Sequence, residues 1–182
     1  YIVLAAAAGE KVKIENIIPH HLESLTSKLT ELGVDMKIDI DSITIHGGLD
    51  NLHPIDIKTL PYPGFATDIQ QPLTALLTQA QGQSIVTETI YTERFKHCFE
   101  LEKMGAKINV MTPSSFINGP TPLSGAEVSA TDLRCGACLV IAGLIADGVT
   151  TIRNIYHIER GYEHIVEKLT AIGAQIWREE IN

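Results

Sequence analysis

Two aspartates follow the same dipeptide at the start of two apolar segments. Asp68 lies in "ATDIQQPLTALL", and Asp132 lies in "ATDLRCGACLVIAGLIA", 64 residues further along the chain. The segments have helical length, so both carboxylates are expected in first turns, with Thr67 and Thr131 as helix caps. Such a helix end favours carboxylates and also attracts anionic ligands. The tripeptides therefore fit two interpretations: simple helix starts, or one shared surface that binds a phosphorylated substrate.

The two tripeptides belong to a longer pattern that occurs three times. Each copy has a helix rich in small residues, a short strand, a second helix and another strand, with Gly expected as a left-handed stop after each helix. The glycines that mark the copies are Gly9, Gly82 and Gly148, then Gly33, Gly105 and Gly173. The pattern predicts one repeated domain over 1–182, with repeats of about 1–58, 59–122 and 123–182.

The helices of each copy differ in how much of their surface is apolar. The segment "CGACLVIAGLIA" is apolar around most of its circumference, which a globular protein tolerates only when other elements surround the helix. The later helix over 163–172 is apolar on one stripe, so it needs cover on one side. Segments such as "SIVTET" alternate as half-exposed strands do. The sequence therefore predicts central helices with sheets outside them.

Composition excludes several classes of protein. The chain of 182 residues carries a net charge of −8, which disfavours nucleic acid as a partner. Its apolar run over 138–146 is too short to span a bilayer, so no membrane role is expected. Three cysteines indicate reduced thiols in the cytoplasm. The opening "YIVLAAAAGE" is interpreted as the interior of a helix, so we expect a fragment of a longer protein.

Four motifs together resemble one enzyme family. "YPGFATDIQ", "TETIYTERF", "LSGAEVSATDLR" and "IYHIERGYE" stand in the order and spacing of the UDP-N-acetylglucosamine 1-carboxyvinyltransferases, the enolpyruvyl transferases that begin peptidoglycan synthesis. The resemblance covers almost the whole chain. It implies an α/β fold, an inside-out α/β barrel of three βαβαββ repeats that is incomplete at both ends. It also implies a missing N-terminal domain as a partner, with substrates bound between the two domains.

The resemblance also implies a reaction and its residues. The 3′-hydroxyl of UDP-N-acetylglucosamine adds to carbon 2 of phosphoenolpyruvate, and phosphate then leaves. Asp68 matches the aspartate that binds this hydroxyl and accepts its proton. Asp132 matches a second active-site aspartate, and Arg134 matches the arginine that fixes it. Arg160 in "HIERGYE" matches an arginine that holds the phosphoenolpyruvate anion, for which a guanidinium is suited.

Further substrate-binding residues follow the "TET" segment. Ile90 and Tyr91 match the wall of the nucleotide-sugar pocket, and Arg94 follows them, although Tyr91 could equally be a packing residue. The resemblance implies no cofactor, and it places the reactive cysteine in the other domain. Cys135 and Cys138 have the spacing of half a metal site, but the sequence has no second half. Helix packing is therefore the better interpretation of these cysteines, and no metal is expected.

Two other functions stay open at this point. The sister enzyme 5-enolpyruvylshikimate-3-phosphate synthase shares the repeats and the phosphoenolpyruvate chemistry. Its Lys-Glu-Thr-Asp-Arg run is replaced here by "HIERGYEHI", which favours the nucleotide sugar. A non-catalytic binding module could use the same fold. The joint presence of Asp68, Asp132 and Arg160 argues against that alternative.

Overall fold

The helices and strands follow the three-copy order. The structure, a computed structural model, describes residues 1–180. The first copy contains α1 (Ile2–Ala8), β1 (Lys11–Glu15), α2 (Glu23–Leu32), β2 (Asp35–Ile38) and β3 (Ser42–His46). The second contains β4 (Asp56–Lys58), α3 (Thr67–Leu77), β5 (Gly82–Thr87), α4 (Lys96–Lys103), β6 (Lys107–Met111) and β7 (Ser114–Gly119). The third contains β8 (Glu127–Ser129), α5 (Leu133–Ile145), β9 (Thr151–Arg153), α6 (Tyr156–Glu159) and α7 (Ile165–Ala171).

Each copy forms its own sheet. The first sheet has the antiparallel order β1-β3-β2, the second has the order β4-β5-β7-β6, and the third pairs β8 with β9. The pairs β4–β5 and β8–β9 are parallel, with Ile57 opposite Val86 and Val128 opposite Ile152. The second copy therefore shows the full βαβαββ order. Strand β4 pairs with β5, so it belongs to the second sheet. The repeat bounds of about 1–58, 59–122 and 123–182 remain a proposed division of the chain.

The helix that opens each copy lies at the centre of the molecule. Helices α1, α3 and α5 contact one another, while the strands lie outside them. On α5 every residue from 135 to 142 is buried. The small side chains permit close packing: a Cβ on Gly136 would lie 2.4 Å from Cγ1 of Ile158. The prediction of central helices with sheets outside is confirmed.

Glycines fix how the hairpins join the central helices. A Cβ on Gly47 would lie 2.1 Å from the carbonyl oxygen of Gly9, and one on Gly119 would lie 2.4 Å from that of Ala80. No side chain fits at these contacts, so the end of each hairpin packs directly on backbone. The left-handed helix stops are confirmed only for the second set of glycines, where φ is +99°, +97° and +102°. Gly9 is the C-cap of α1 but has φ of −90°, and the C-caps of α3 and α5 are Thr78 and Ala146.

The two tripeptides begin their helices differently. On α5, Asp132 is the N-cap, because its Oδ1 accepts the N–H groups of Arg134 and Cys135 at 2.8 and 3.2 Å. On α3 the N-cap is Ala66 and no side chain caps the helix, although Asp68 lies in the first turn as predicted. The prediction that Thr67 and Thr131 cap the helices is wrong, as is the first-turn position of Asp132. The Thr67 hydroxyl is engaged elsewhere.

Candidate active site

The starts of α3 and α5 meet at Asp68. The Nε of Arg134 donates a hydrogen bond to Oδ1 of Asp68 at 2.5 Å. Nη1 of Arg94, from the loop between β5 and α4, donates to the same oxygen at 3.2 Å. The packing of the two central helices therefore joins residues that are 66 positions apart in the sequence.

These contacts determine the charge of Asp68. The hydrogen bond from Arg134 holds the pKa of Asp68 below its ordinary value of 3.8; partial burial opposes this effect, and the charge of Arg94 adds to it. The same bond raises the pKa of Arg134. Asp68 is therefore ionised at neutral pH. It is a weak proton acceptor as long as both arginines contact it.

A pocket of about 570 Å³ lies next to Arg94 and Asp132. Asp68 and Arg134 are not part of its wall, and Arg94 joins that wall to Asp68. The size of the pocket suits a small-molecule ligand. Two cationic side chains, Arg94 and Lys96, and two carboxylates, Glu93 and Asp132, line it, so the pocket suits a polar ligand. Its walls are formed by Gln71, Ile90, Tyr91, Thr92, Glu93, Arg94, Lys96, Thr131 and Asp132.

Tyr91 forms part of the pocket wall rather than of the core. Its side chain is 57% exposed, so the packing role considered for it is wrong. The guanidinium of Arg94 lies 4.1 Å from the centre of the Tyr91 ring, a cation–π contact that holds both side chains. Arg94 therefore joins the wall of the pocket to Asp68.

Arg160 lies apart from the other residues that the sequence singles out. It is exposed after α6 and, within residues 1–180, is not part of the pocket wall. Its neighbour Gly161 packs against Leu133 at the start of α5, where a Cβ on Gly161 would lie 2.7 Å from Cδ1 of Leu133. The structure thus brings together Ile90, Tyr91, Arg94, Asp68, Asp132 and Arg134, and holds Arg160 near the same helix end without contact to them.

Glu88 is the main residue that the sequence interpretation missed. Its side chain is fully buried, and its carboxylate accepts four hydrogen bonds. Oε1 accepts the Thr59 hydroxyl at 2.7 Å and the N–H groups of Ile90 and Tyr91 at 2.8 and 3.0 Å. Oε2 accepts the Thr67 hydroxyl at 2.7 Å. Burial alone would raise the pKa of Glu88, but these hydrogen bonds hold it below 4.5.

Most of the sequence matches one protein family. Residues 1–169 match the profile of the family described as EPSP synthase (3-phosphoshikimate 1-carboxyvinyltransferase). The chain belongs to this family.

The chain is also similar to named proteins from several bacteria. It is 58% identical over 178 residues to UDP-N-acetylglucosamine 1-carboxyvinyltransferase 2 of Listeria monocytogenes, covering 98% of the chain. It is 55% identical over 181 residues to the protein of the same name from Bacillus subtilis, covering 100% of the chain. The chain spans 42% of the length of each of these relatives.

Two solved structures of enolpyruvyl transferases have the same fold. The enolpyruvyl transferase NikO from Streptomyces tendae aligns with a TM-score of 0.88 at 30% identity, covering 95% of this chain and 41% of that one. EPSP synthase from Acinetobacter baumannii aligns with a TM-score of 0.78 at 20% identity, covering 98% of this chain and 45% of that one. These alignments confirm the predicted enolpyruvyl transferase-like α/β fold.

The cysteines of this EPSP synthase family member do not line the pocket. Cys98, Cys135 and Cys138 are all buried as free thiols. Burial raises the pKa of all three, that of Cys98 to about 12, so none has the thiolate character of a nucleophile. In the described part of the chain, no three His, Cys, Asp or Glu residues are grouped to hold a metal ion. Across residues 1–180, no helix is both long and apolar enough to cross a membrane.

Proposed function

We propose that this chain forms the sugar-nucleotide half of an enolpyruvyl transferase active site. The substrates are UDP-N-acetylglucosamine and phosphoenolpyruvate, and the product is the enolpyruvyl ether of the sugar 3′-hydroxyl. The observation that carries the proposal is the pocket of about 570 Å³ whose wall Arg94 joins to the Asp68–Arg134 pair, in a chain 54–58% identical to proteins named for this reaction. The setting we propose is peptidoglycan synthesis in the cytoplasm.

Asp68 binds the sugar hydroxyl and accepts its proton. For this step the hydroxyl must replace the Arg134 contact, because that contact keeps the carboxylate a poor base. Asp132 fixes the Arg134 backbone at the start of α5, because its Oδ1 accepts the Arg134 N–H. The loss of one ion pair on substrate binding raises the basicity of Asp68 at the moment when a base is needed.

The remaining residues bind the substrates. Ile90 and Tyr91 form the wall against the sugar nucleotide, and Arg94 lies between that wall and Asp68. Arg160 holds the phosphoenolpyruvate anion once its segment closes over the pocket, since a guanidinium binds a carboxylate or phosphate through two parallel hydrogen bonds. The chemistry needs no cofactor or metal. Residues 1–182 act as one domain that works with a second domain across the pocket.

A second candidate substrate is shikimate 3-phosphate. The matching family profile is described by that chemistry, and both candidates add a hydroxyl to phosphoenolpyruvate. The identity of 20% to EPSP synthase from Acinetobacter baumannii is far below the 58% to the Listeria monocytogenes relative. This difference favours the sugar nucleotide.

A chimera tests the proposal directly. This chain replaces the matching 181-residue segment of the Bacillus subtilis relative, and phosphate release from phosphoenolpyruvate is measured with each acceptor. We expect release with UDP-N-acetylglucosamine and none with shikimate 3-phosphate. The reverse result would transfer the assignment to the second substrate. A folded chimera that is inactive with both acceptors, while the parent relative is active, would favour a non-catalytic binding module.

A further inference from the structure

We propose that Glu88 is a positioning residue that fixes Asp68 and the pocket wall in one arrangement. The inference rests on the proposed function, because it assigns Glu88 a role in the reaction of the same pocket. Glu88 does not line the pocket, and its side chain is fully buried. Its effect on substrate is therefore exerted through the groups that it holds.

The carboxylate joins three segments that come from different parts of the repeat. Thr59 follows β4, and Thr67 is the first residue of α3. Ile90 and Tyr91 lie in the loop after β5. Each segment donates at least one hydrogen bond to Glu88. A buried carboxylate with four donors is a strong constraint, because removing it would leave those donors without an acceptor.

One set of contacts leads from Glu88 to Asp68. The Thr67 hydroxyl donates its only proton to Oε2 of Glu88, so its oxygen is free to accept. Nη1 of Arg94 donates to that oxygen at 2.9 Å and also contacts Oδ1 of Asp68. Glu88 thus determines which way the Thr67 hydroxyl points. Through that hydroxyl it determines where Arg94 holds Asp68.

A second set of contacts leads from Glu88 to the pocket wall. The N–H groups of Ile90 and Tyr91 both point at Oε1, which fixes the backbone from which the Tyr91 ring extends. Thr59 supports this turn, because its hydroxyl oxygen accepts the Thr89 N–H at 2.8 Å and its carbonyl accepts the Thr89 hydroxyl. The wall and the proposed base are therefore held by one carboxylate. A change at Glu88 must move both.

Two substitutions and one matched control test this inference in the chimera. Glu88→Gln keeps the size of the side chain but replaces one acceptor oxygen by a donor. Thr67→Val removes the hydroxyl that links Oε2 of Glu88 to Arg94, and it keeps the bonds from Ile90 and Tyr91 to Oε1. Ser84→Ala is the control, because Ser84 is also fully buried on β5 and its Oγ accepts the Ile55 N–H at 3.1 Å, away from the pocket. Glu88→Gln and the control both remove a buried acceptor.

The expected results separate positioning from stability. Glu88→Gln should raise KM for UDP-N-acetylglucosamine and lower kcat by about 100-fold, the scale expected for a displaced reacting group. Thr67→Val should lower kcat with little change in KM. Ser84→Ala should melt at a lower temperature and keep both constants. The inference is overturned if folded Glu88→Gln keeps kcat and KM within twofold, or if Ser84→Ala loses activity to the same extent.

Two further measurements keep the inference separate from the proposed function. If Glu88→Gln does not fold, Thr67→Val decides, and an unchanged kcat would overturn the inference. If the unmodified chimera is inactive, the proposed function fails, and NMR of the 182-residue chain then tests the positioning alone. We expect the Arg94 side-chain N–H and Asp68 backbone signals to move in Glu88→Gln and to stay in Ser84→Ala. Unmoved signals in Glu88→Gln would refute the positioning role.

Discussion

Asp68→Asn separates the chemical role of the repeated tripeptide from its structural role. The substitution keeps the shape of the side chain and removes its charge and its ability to accept a proton. In the structure the Asp68 side chain caps no helix, so no cap is lost in the variant. The effect on stability is limited to two contacts, with Arg134 and Arg94.

The size of both effects follows from the geometry. The Asp68 side chain is 61% exposed, so water screens both ion pairs, and each contributes about 0.2–1 kcal/mol. The variant should therefore lose about 1 kcal/mol of stability, which lowers Tm by about 2–4 °C in a domain of this size. Loss of a general base should lower turnover by about 10²- to 10⁴-fold.

The assay compares two measurements on the same purified chimera. Phosphate release at saturating UDP-N-acetylglucosamine reports turnover, and thermal unfolding followed by circular dichroism reports stability. A large loss of turnover with a small change in Tm supports the role of Asp68 as the base. If Tm falls by many degrees while turnover stays within tenfold of the parent, the tripeptide on α3 is only a helix start, and the catalytic role of Asp68 is refuted.

Four other predictions concern this site and the chain that carries it. Arg134→Gln removes the main cause of the lowered Asp68 pKa, so the pKa of Asp68 should rise. The acid limb of the pH profile of kcat/KM should then move to higher pH. An unmoved limb would show that Asp68 is not the titrating group. In the unmodified chain the pKa of Asp68 is lowered, so its ion pair with Arg134 stabilises the fold above pH 3.8. This stabilisation is lost as the pH falls through the pKa of the folded state. Acid unfolding should therefore lower the stability of the parent more than that of Arg134→Gln. Asp132→Ala should lose about 1 kcal/mol from the missing cap on α5 while Asp132→Asn retains the cap, so equal melting temperatures would contradict the capping role. The 182-residue chain alone should release no phosphate from phosphoenolpyruvate, and sustained release by a pure sample would contradict the need for a second domain.

The fold could be predicted because its signal is spread over the whole chain. Three copies of one pattern, each with a central helix that is apolar on nearly every side, leave few ways to bury those helices. The helix starts could not be predicted from the tripeptides alone. The competing partner of Thr67 is Glu88, which lies 21 residues away and reaches it only after folding.

The site was accessible to sequence reasoning only in part. The resemblance selected Asp68 and Arg134, but their contact depends on how α3 packs against α5, which no local pattern specifies. Glu88 did carry a signal: it continues the alternation of buried residues Ser84 and Val86 along β5. A charged residue at an inward-facing position needs hydrogen-bond partners. In Glu88 these partners include the hydroxyls of Thr59 and Thr67.

The central position of the helices also determines which amides exchange last with solvent deuterium. In many α/β proteins the sheet forms the interior and protects its own backbone longest. Here the backbone of α5 is surrounded by other elements, while β2 is an edge strand with mostly exposed side chains. Exchange from α5 and its neighbour α3 should therefore require global unfolding, whereas β2 exchanges through local opening. The amides that exchange most slowly should therefore measure the free energy of global unfolding. They lie in the two helices whose first turns form the Asp68–Arg134 ion pair.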